Sequence, residues 1–178
     1  MSRLVKRSIT LLVGVLLLVT GVWYSAQASG GDAGPRPWPQ TSRVAADKVA
    51  IMELANRFEN TFDDADLEGH LATLSDDIVF TSDVFGTYRG KDAYRAWVQP
   101  FLEGAAASGG TRHVMSNFEI RVRGNRARAT SYLTIYSRST LQVGGLVEFN
   151  DELAKVNGRW IFTRRSQVVD LPPAAAPQ

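Results

Sequence analysis

The chain has 178 residues, of which 44% are hydrophobic, and its formal net charge at pH 7 is +2. This length suits one domain with its own hydrophobic core. Because there is no cysteine, disulfide frameworks, zinc ribbons, iron–sulfur clusters and thiol catalysis are excluded. The two histidines are too few for a multi-histidine metal site.

The positive charge is concentrated at the N-terminus. Three of the 20 Lys and Arg residues fall within residues 1–28, which contain no acid, so the rest of the chain has 17 bases against 18 acids and a net charge of −1. A nucleic-acid-binding domain usually carries a basic surface, and this composition offers none. We therefore expect no nucleic-acid partner.

Residues 1–28 have the pattern of a signal peptide. A basic start precedes an apolar stretch over residues 9–22, and Ala26-Gln27-Ala28 has the small residues that a signal peptidase recognises. The apolar stretch is shorter than the roughly 20 residues that span a bilayer comfortably, so cleavage near Ala28 is favoured over an uncleaved anchor. Both interpretations predict an exported protein, periplasmic or secreted, which contacts a membrane only if the segment stays uncleaved.

The predicted folded domain lies between two segments of low complexity. Residues 29–41 are rich in Gly and Pro and predict a flexible linker, and residues 171–178 predict a disordered tail. Neither segment can bury enough apolar surface to offset the entropy of ordering it. The domain is therefore predicted over residues 42–170, with Ser42 as the N-cap of its first helix.

Helical periodicity marks the first half of this domain. Apolar residues recur every three or four positions from Ile51 to Phe62, which predicts one buried helical face. Asp66 is placed to cap a short second helix, in which we expect His70 to lie at the surface. Two short strands follow, and then a third helix in which Pro100 is expected to kink or end the regular part.

From residue 112 onward the apolar period changes from helical to two, which is typical of strands. The predicted strands cover residues 112–122, 127–138, 147–156 and 159–168. Gly124-Asn125 and Asn157-Gly158 predict tight hairpins, and Gly144-Gly145 is expected to break the chain between the middle strands. This order predicts an α+β domain in which a curved antiparallel sheet packs against three N-terminal helices and encloses a pocket.

Seven local strings, in this order, resemble the SnoaL-like branch of the nuclear transport factor 2-like superfamily. They are residues 50–54, 74–80, 88–93, 113–117, 124–129, 150–153 and 158–162. The resemblance covers residues 44–168 and implies a cone-shaped sheet wrapped around the helices. The superfamily contains enzymes, subunits and passive binders, so the fold alone does not settle the function.

The resemblance also implies a pair of site residues, Asp63 and His113. Members that catalyse eliminations or isomerisations, such as scytalone dehydratase, bile-acid dehydratase and lindane dehydrochlorinase, pair an aspartate ending the first helix with a histidine opening the first long strand. Imidazole titrates near neutral pH and can accept a proton from carbon, while the carboxylate fixes its tautomer. Such chemistry needs neither a metal nor a cofactor, and we expect none.

The residues alone also allow structural roles for both members of this pair. His113 shares a predicted strand face with Met115 and Asn117, where it could be a hydrogen-bonded core histidine, and Asp63 ends a helix where acids often cap the next one. Active relatives often have a Tyr or Lys one turn before the aspartate, whereas the matching position here is Phe58. This apolar residue favours a member that binds without catalysis.

Further candidates would line the pocket and contact a substrate. The full set of candidate substrate-binding residues is Phe58, Trp97, Asn117, Tyr132, Tyr136, Asp151 and Arg165. Tyr132 and Tyr136 share a strand face and are either hydrogen-bond donors or packing residues. Asn117 could orient a substrate carbonyl, and the resemblance implies polar pocket positions at Asp151 and Arg165.

Together these features predict an exported domain that binds a small apolar or cyclic molecule. It either catalyses dehydration, isomerisation or a related elimination, or serves as a non-catalytic binding or subunit-type module. A homodimer is also expected, because the predicted outer face of the sheet is unusually apolar. The residues predicted on that face are Val114, Phe118, Ile120 and Val122.

Overall fold

A computed structural model of the chain describes residues 40–170. Its elements in chain order are helices α1 (Gln40–Asp63) and α2 (Leu67–Leu71), strands β1 (Leu74–Ser82) and β2 (Gly86–Arg89), helix α3 (Lys91–Ala107), and strands β3 (Thr111–Arg123), β4 (Arg126–Ser137), β5 (Val143–Val156) and β6 (Arg159–Asp170). The predicted signal peptide, linker and tail lie outside the described residues, apart from the last two residues of the linker.

The six strands form one sheet in the order β2-β1-β6-β5-β4-β3. Neighbouring strands are antiparallel, except that β1 lies parallel to β6. The three helices supply the apolar side chains that cover the inner face, as the α+β prediction requires. Among the helices of residues 40–170, none has the length and apolarity needed to cross a membrane.

Helix α1 packs through the apolar stripe that its sequence predicts. Ile51, Leu54, Ala55 and Phe58 are all buried, at the spacing of one helical face. Ser42 lies inside the helix and does not cap it. The early turns are tied to the sheet by Asp47, whose Oδ1 accepts hydrogen bonds from Lys155 Nζ and Trp160 Nε1, and such a tertiary contact has no local sequence signal.

Helix α2 begins as predicted, but its histidine lies in the core. Asp66 caps the helix by accepting a 2.9 Å hydrogen bond from the backbone N–H of Gly69. His70 is fully buried, so its predicted surface position was wrong. Both ring nitrogens have partners: Nδ1 lies 2.9 Å from the Phe58 carbonyl oxygen and Nε2 lies 2.8 Å from the Tyr94 hydroxyl. A buried polar group is tolerated when it is hydrogen-bonded in this way.

Helix α3 continues through Pro100 to Ala107, so the helix does not end at the proline, which was one of the two predicted outcomes. The buried residues Tyr94, Val98 and Leu102 lie on both sides of the proline along the helix and hold it against the core. Pro100 itself is on the exposed face. The carbonyl that loses its donor there can be hydrated, which reduces the penalty for proline inside a helix.

A β-bulge in β3 exchanges the two faces of the strand. The pairing register with β4 shifts between Ser116 and Glu119, and Asn117 has a positive φ of 51°. Val114, before the bulge, is 46% exposed, as expected for the outer face. The residues Phe118, Ile120 and Val122 instead pack against the core. Their predicted outer position was wrong, because one extra residue inverts the alternation.

Strand β5 begins earlier than its glycines suggest. Gly144 and Gly145 lie within the strand and do not break it. The register against β4 shifts here, since Ile135 pairs with Gly145 while Tyr136 pairs with Val143. Gly144 is thus the extra residue of a second bulge, at the end of the sheet that opens toward the cavity described next.

Candidate active site

A cavity of about 250 Å³ lies between α1, α3 and the inner face of the sheet. Most of its wall is apolar. One side is aromatic, with Phe58, Phe62, Phe80, Phe85, Trp97 and Phe101, and the other is aliphatic, with Leu133, Ile135, Val147 and Val169. The polar side chains in the wall are Glu59, Tyr94, Thr111, His113 and Gln167. Such an apolar space with a few polar groups is typical of a small-molecule site.

Asp63 and His113 are in direct contact beside this cavity. The imidazole Nδ1 donates a 2.6 Å hydrogen bond to Asp63 Oδ1, and the backbone N–H of His113 donates to Oδ2 at 2.8 Å. The Thr111 hydroxyl adds a third hydrogen bond to Oδ1, at 3.0 Å. The carboxylate is therefore held in one orientation by two residues at the start of β3.

The electrostatics of Asp63 keep it ionised. Its side chain is fully buried, and burial by itself would raise its pKa. The hydrogen bonds from the side chain and backbone of His113 and from Thr111 outweigh that effect, and the pKa of Asp63 lies below its ordinary value. An ionised acceptor at Nδ1 requires the proton on that nitrogen, so the neutral ring presents the lone pair of Nε2.

The free nitrogen of His113 lies in mostly apolar surroundings. The imidazole is 7% exposed, and the Phe62 ring packs against it with centroids 5.0 Å apart. Within residues 40–170, no hydrogen bond occupies Nε2 of His113, and the residue lines the cavity. The pair therefore presents an oriented base to an apolar space, which is the arrangement that proton abstraction requires.

Local interactions within α1 disfavour a carboxylate at the position of Asp63, so the pair depends on contacts between distant elements. Asp63 is the last residue of α1, where the negative end of the helix dipole disfavours a carboxylate. The three hydrogen bonds from β3 offset that penalty. A local preference that is overridden by tertiary contacts in this way is more typical of functional sites than of helix ends in general.

A second group of charges lies buried next to the cavity: Glu59 on α1, Asp151 on β5 and Arg165 on β6. Arg165 Nε is 3.3 Å from Asp151 Oδ1, and Arg165 Nη2 is 3.6 Å from Glu59 Oε1. The guanidinium lies over the rings of Phe149 and Phe58, with its carbon 3.7 and 4.2 Å from their centroids. We call Glu59, Asp151 and Arg165 the buried triad.

The buried triad is poorly hydrogen-bonded. Glu59 Oε1, Asp151 Oδ1 and all three nitrogens of the Arg165 guanidinium find no hydrogen-bond partner in the described part of the chain. Burial raises the pKa of Glu59, and it raises the pKa of Asp151 to about 7 in spite of the nearby guanidinium. The triad therefore differs from the Asp63–His113 pair in both hydrogen bonding and protonation.

The structure places the predicted substrate-binding residues in three different environments. Phe58 and Trp97 line the cavity. Asp151 and Arg165 belong to the buried triad and do not form the cavity wall. The other three, Asn117, Tyr132 and Tyr136, lie away from the cavity.

Asn117, Tyr132 and Tyr136 are not positioned to contact a ligand in the cavity. Asn117 is the exposed residue of the β3 bulge. Tyr132 is 44% exposed and pairs with Ser116, and Tyr136 pairs with the exposed Arg112. Both tyrosines are on the outer face of the sheet, because the inward positions of β4 are taken by the alternate residues, such as Leu133. Their expected role as substrate donors is corrected accordingly.

Sequence reasoning missed four polar residues in the cavity wall, which are Glu59, Tyr94, Thr111 and Gln167. Glu59 is a charged residue inside the apolar stripe of α1, one turn before Asp63, and that position could have identified it. Gln167 follows Arg165 by two positions on β6 and so shares its inward face. Tyr94 had no local signal. Among residues 40–170, no group of three His, Asp or Glu side chains is arranged to hold a metal ion.

Comparison with known proteins gives one family and many related folds. A family model described as the SnoaL-like domain matches residues 43–166. A protein of unknown function with a cystatin-like fold from Nostoc punctiforme is 36% identical, with a TM-score of 0.66, and the match covers 73% of this chain and 94% of that one. No match was found among curated proteins.

Two further structures are similar in fold at lower sequence identity. A scytalone-dehydratase-like protein from Novosphingobium aromaticivorans is 23% identical, with a TM-score of 0.63 and coverage of 78% of this chain and 100% of that chain. LinA is 19% identical, with a TM-score of 0.62 and coverage of 76% and 97%. These two structures confirm the predicted α+β fold, and the family model confirms the family resemblance.

Proposed function

The chain belongs to the SnoaL-like domain family, and from this premise we propose that it is a cofactor-free acid–base enzyme acting on a small, largely apolar cyclic molecule. The reaction class is dehydration, isomerisation or a related elimination. One observation carries the proposal: the 2.6 Å contact between Asp63 and His113 orients a basic nitrogen toward an apolar cavity. The similarity in fold to a scytalone-dehydratase-like protein is consistent with it.

The first chemical step is removal of a proton from carbon by His113 Nε2. The imidazolium that forms is stabilised by the ionised Asp63, whose carboxylate already accepts the Nδ1 proton. Thr111 keeps that carboxylate in place. The wall of the cavity is largely apolar, and the lower dielectric of such surroundings strengthens the attraction between imidazolium and carboxylate.

The cavity limits the class of substrate. A volume of about 250 Å³ accommodates one or two fused rings and excludes large polar molecules. The aromatic side chains Phe58, Phe62 and Trp97 favour a flat ring, since stacked and edge-on ring contacts are stabilising. The reactive C–H must lie next to a group that acidifies it, such as a carbonyl.

Hydrogen–deuterium exchange of 1-indanone tests this proposal. The probe has two fused rings and a carbonyl-activated C–H, and proton NMR in D₂O reports proton removal without any need to know the natural substrate. We expect the protein to accelerate exchange by about 10²- to 10⁴-fold over the His113→Gln variant, which lacks the base. His113→Gln and Asp63→Asn should lose this acceleration, and Asp64→Asn, which changes an exposed neighbour, should keep it.

The same experiment separates the second candidate function. Phe58 has no polar group and stacks over Arg165 with 4.2 Å between centroid and guanidinium carbon, which favours a module that only binds. If 1-indanone binds but does not exchange faster than in the His113→Gln variant, the protein is a binding module and the catalytic proposal is wrong.

Export and self-association are two further proposals, of which the first rests on the sequence and the second on exposed residues of the sheet. The pattern of residues 1–28 supports export to the periplasm or medium, and N-terminal sequencing of the purified protein would show whether cleavage follows Ala28. A homodimer is supported by exposed apolar residues on the outer face of the sheet, among them Val114, Leu146 and Val168. Light scattering would contradict it by giving a monomer mass.

A further inference from the structure

A buried carboxyl in the cavity wall is not used by the reaction described so far. Glu59 is 3% exposed and lines the same cavity as His113. It lies one helical turn before Asp63 on α1, so both carboxyl groups belong to the same side of the helix. Its Oε1 atom has no hydrogen-bond partner among the described residues, which is unusual for a buried acid.

The charge balance of the buried triad favours a retained proton. Glu59 and Asp151 share the single positive charge of Arg165, at 3.6 and 3.3 Å. If both carboxyls were ionised, a net negative charge would remain among buried side chains, which is strongly unfavourable. The pair Glu59 and Asp151 is therefore expected to hold one proton near neutral pH.

The surroundings of Glu59 favour it over Asp151 as the residue that presents this proton to the cavity. Burial raises the pKa of Glu59 more than the positive charges of Arg165 and His113 lower it, and the negative charge of Asp63 raises it further. Tyr94, which also faces it from α3, stays neutral because burial raises the pKa of its hydroxyl. Asp151 lies closer to Arg165 and does not line the cavity.

We propose that Glu59 is the second acid–base residue of this cavity and donates its proton to an oxygen atom of the ligand. The inference rests on the proposed function and names the general acid that the function requires. In a dehydration, His113 Nε2 takes the proton from carbon, the C–H electron pair forms the double bond, and the C–O bond breaks. Glu59 transfers its proton to the departing oxygen, which leaves as water. The imidazolium and the carboxylate return to their resting states by proton exchange with solvent.

A matched pair of probes isolates this role. 1-Indanone and indane have the same two rings and differ only in the carbonyl oxygen that would accept the hydrogen bond from Glu59. We expect the protein to bind 1-indanone about 3- to 10-fold more tightly than indane, the range of one net hydrogen bond. Calorimetric or NMR titration from mildly acidic to mildly alkaline pH gives this ratio.

The pH profile identifies the donor. The proton is present below the pKa of folded Glu59 and lost above it, so the preference for 1-indanone should vanish as the pH rises through that pKa. Glu59→Gln keeps a neutral donor that does not titrate, and its preference should be the same at every pH. Glu59→Leu should show no preference at any pH. Glu53→Gln, an exposed glutamate on the same helix, serves as the matched control and should behave like the unmodified protein.

A further variant tests the sharing of the proton. Asp151→Asn leaves Arg165 with Glu59 as its only carboxylate partner in the triad, so Glu59 should ionise more readily and the preference should be lost at a lower pH. A pH-independent preference in the unmodified protein, or one that survives in Glu59→Leu, would overturn the proposal. If Glu59→Leu does not fold, the contrast between the unmodified protein and Glu59→Gln decides the question.

The two proposals fail in different ways. If exchange is accelerated but both probes bind equally well, Glu59 is not the donor, and the proposed role of His113 stands. Preferential binding of 1-indanone without exchange would keep Glu59 as a donor in a protein that only binds. If neither probe binds, the cavity is not a site for such rings and both proposals are wrong.

Discussion

The Asp63–His113 pair and the buried triad are two groups of charges beside one cavity, and they have opposite properties. The Asp63 carboxylate accepts three hydrogen bonds from β3, and its pKa lies below the ordinary value. The triad has unpartnered nitrogen and oxygen atoms, and the pKa values of its two carboxyls are raised. The carboxyl side chains are buried in both places, and the hydrogen bonds that Asp63 accepts favour its ionised form.

This difference assigns the two regions different tasks. A carboxylate with a full set of donors has one orientation and one charge, which suits a residue that must hold an imidazole in place. A buried carboxyl that accepts no hydrogen bonds keeps its proton, and no protein group competes with a ligand for that proton. This suits a residue that must give the proton away. The cost in stability is confined to the triad, where unsatisfied polar atoms are buried.

Removal of Arg165 is expected to have the largest effect on the buried triad. Arg165→Met keeps an unbranched side chain against the rings of Phe58 and Phe149 but leaves two carboxyls without a cation. We expect the free energy of unfolding to fall by about 3 kcal/mol near neutral pH. The loss should shrink as the pH falls, because carboxyls with raised pKa values take up protons and lose their charge. Urea denaturation at several pH values measures both effects.

Arg164→Met provides the control for this prediction. Arg164 is adjacent in sequence, half exposed, and 3.9 Å from Glu152, so its removal should change the free energy of unfolding by less than about 0.5 kcal/mol. Equal losses in the two variants, or a loss in Arg165→Met that does not depend on pH, would contradict the role assigned to the triad.

His70 is a third case to compare with the pair and the triad. It is buried and both ring nitrogens are hydrogen-bonded, yet it is neutral. Burial is the main cause that lowers its pKa to about 4, whereas the unfolded chain titrates near 6.5. The unfolded state therefore binds more protons between these values, and the folded state should lose on the order of 3 kcal/mol as the pH falls through this window. His70→Gln should lack this part of the pH dependence.

Tyr94→Phe is the companion variant for His70. It keeps the ring and removes only the hydroxyl that donates to His70 Nε2. The imidazole remains buried, so the loss of stability on acidification should persist in this variant while the overall free energy of unfolding falls by about 1 kcal/mol. A His70→Gln protein with an unchanged acid slope would show that the histidine is not the group responsible.

Asp63→Asn should have a smaller effect on stability than on proton transfer. Replacing an ionised acceptor of three hydrogen bonds lowers the free energy of unfolding by about 2 kcal/mol at neutral pH. The pKa of Asp63 is depressed, so its contribution is present above the ordinary value and lost as the pH falls through the folded value. The variant and the unmodified protein should therefore converge in acid, and Asp64→Asn should show no such difference.

The fold could be predicted from the sequence because its elements have clear periodicity. The apolar stripe of α1 indicated which of its residues face inward, the alternation of the long segments indicated that they are strands, and the family strings indicated how the elements are arranged. The bulge at Asn117 could not be predicted, because one inserted residue leaves both halves of β3 with good strand patterns. That single residue moved Phe118 and Ile120 from the expected outer face into the core.

The site could be predicted in part. Asp63 and His113 stand at the ends of elements, where the family resemblance locates them. Tyr132 was misassigned because the two faces of β4 are distinguished only by their tertiary contacts. Glu59 had a local signal, as an acid within an apolar stripe, whereas its partnership with Arg165 depends on the register of β5 against β6, which no local pattern determines.

The smallest expected effect tests whether hydrogen bonding alone distinguishes the two regions. Thr111→Val removes one of the three donors to Asp63 and keeps the branched shape of the side chain. We expect the free energy of unfolding to fall by about 1 kcal/mol, and exchange of 1-indanone to slow by less than in Asp63→Asn, because the two hydrogen bonds from His113 remain. Thr134→Val on the outer face of β4 is the control. If Thr111→Val slows exchange as strongly as Asp63→Asn, the threonine contributes more than orientation of the carboxylate.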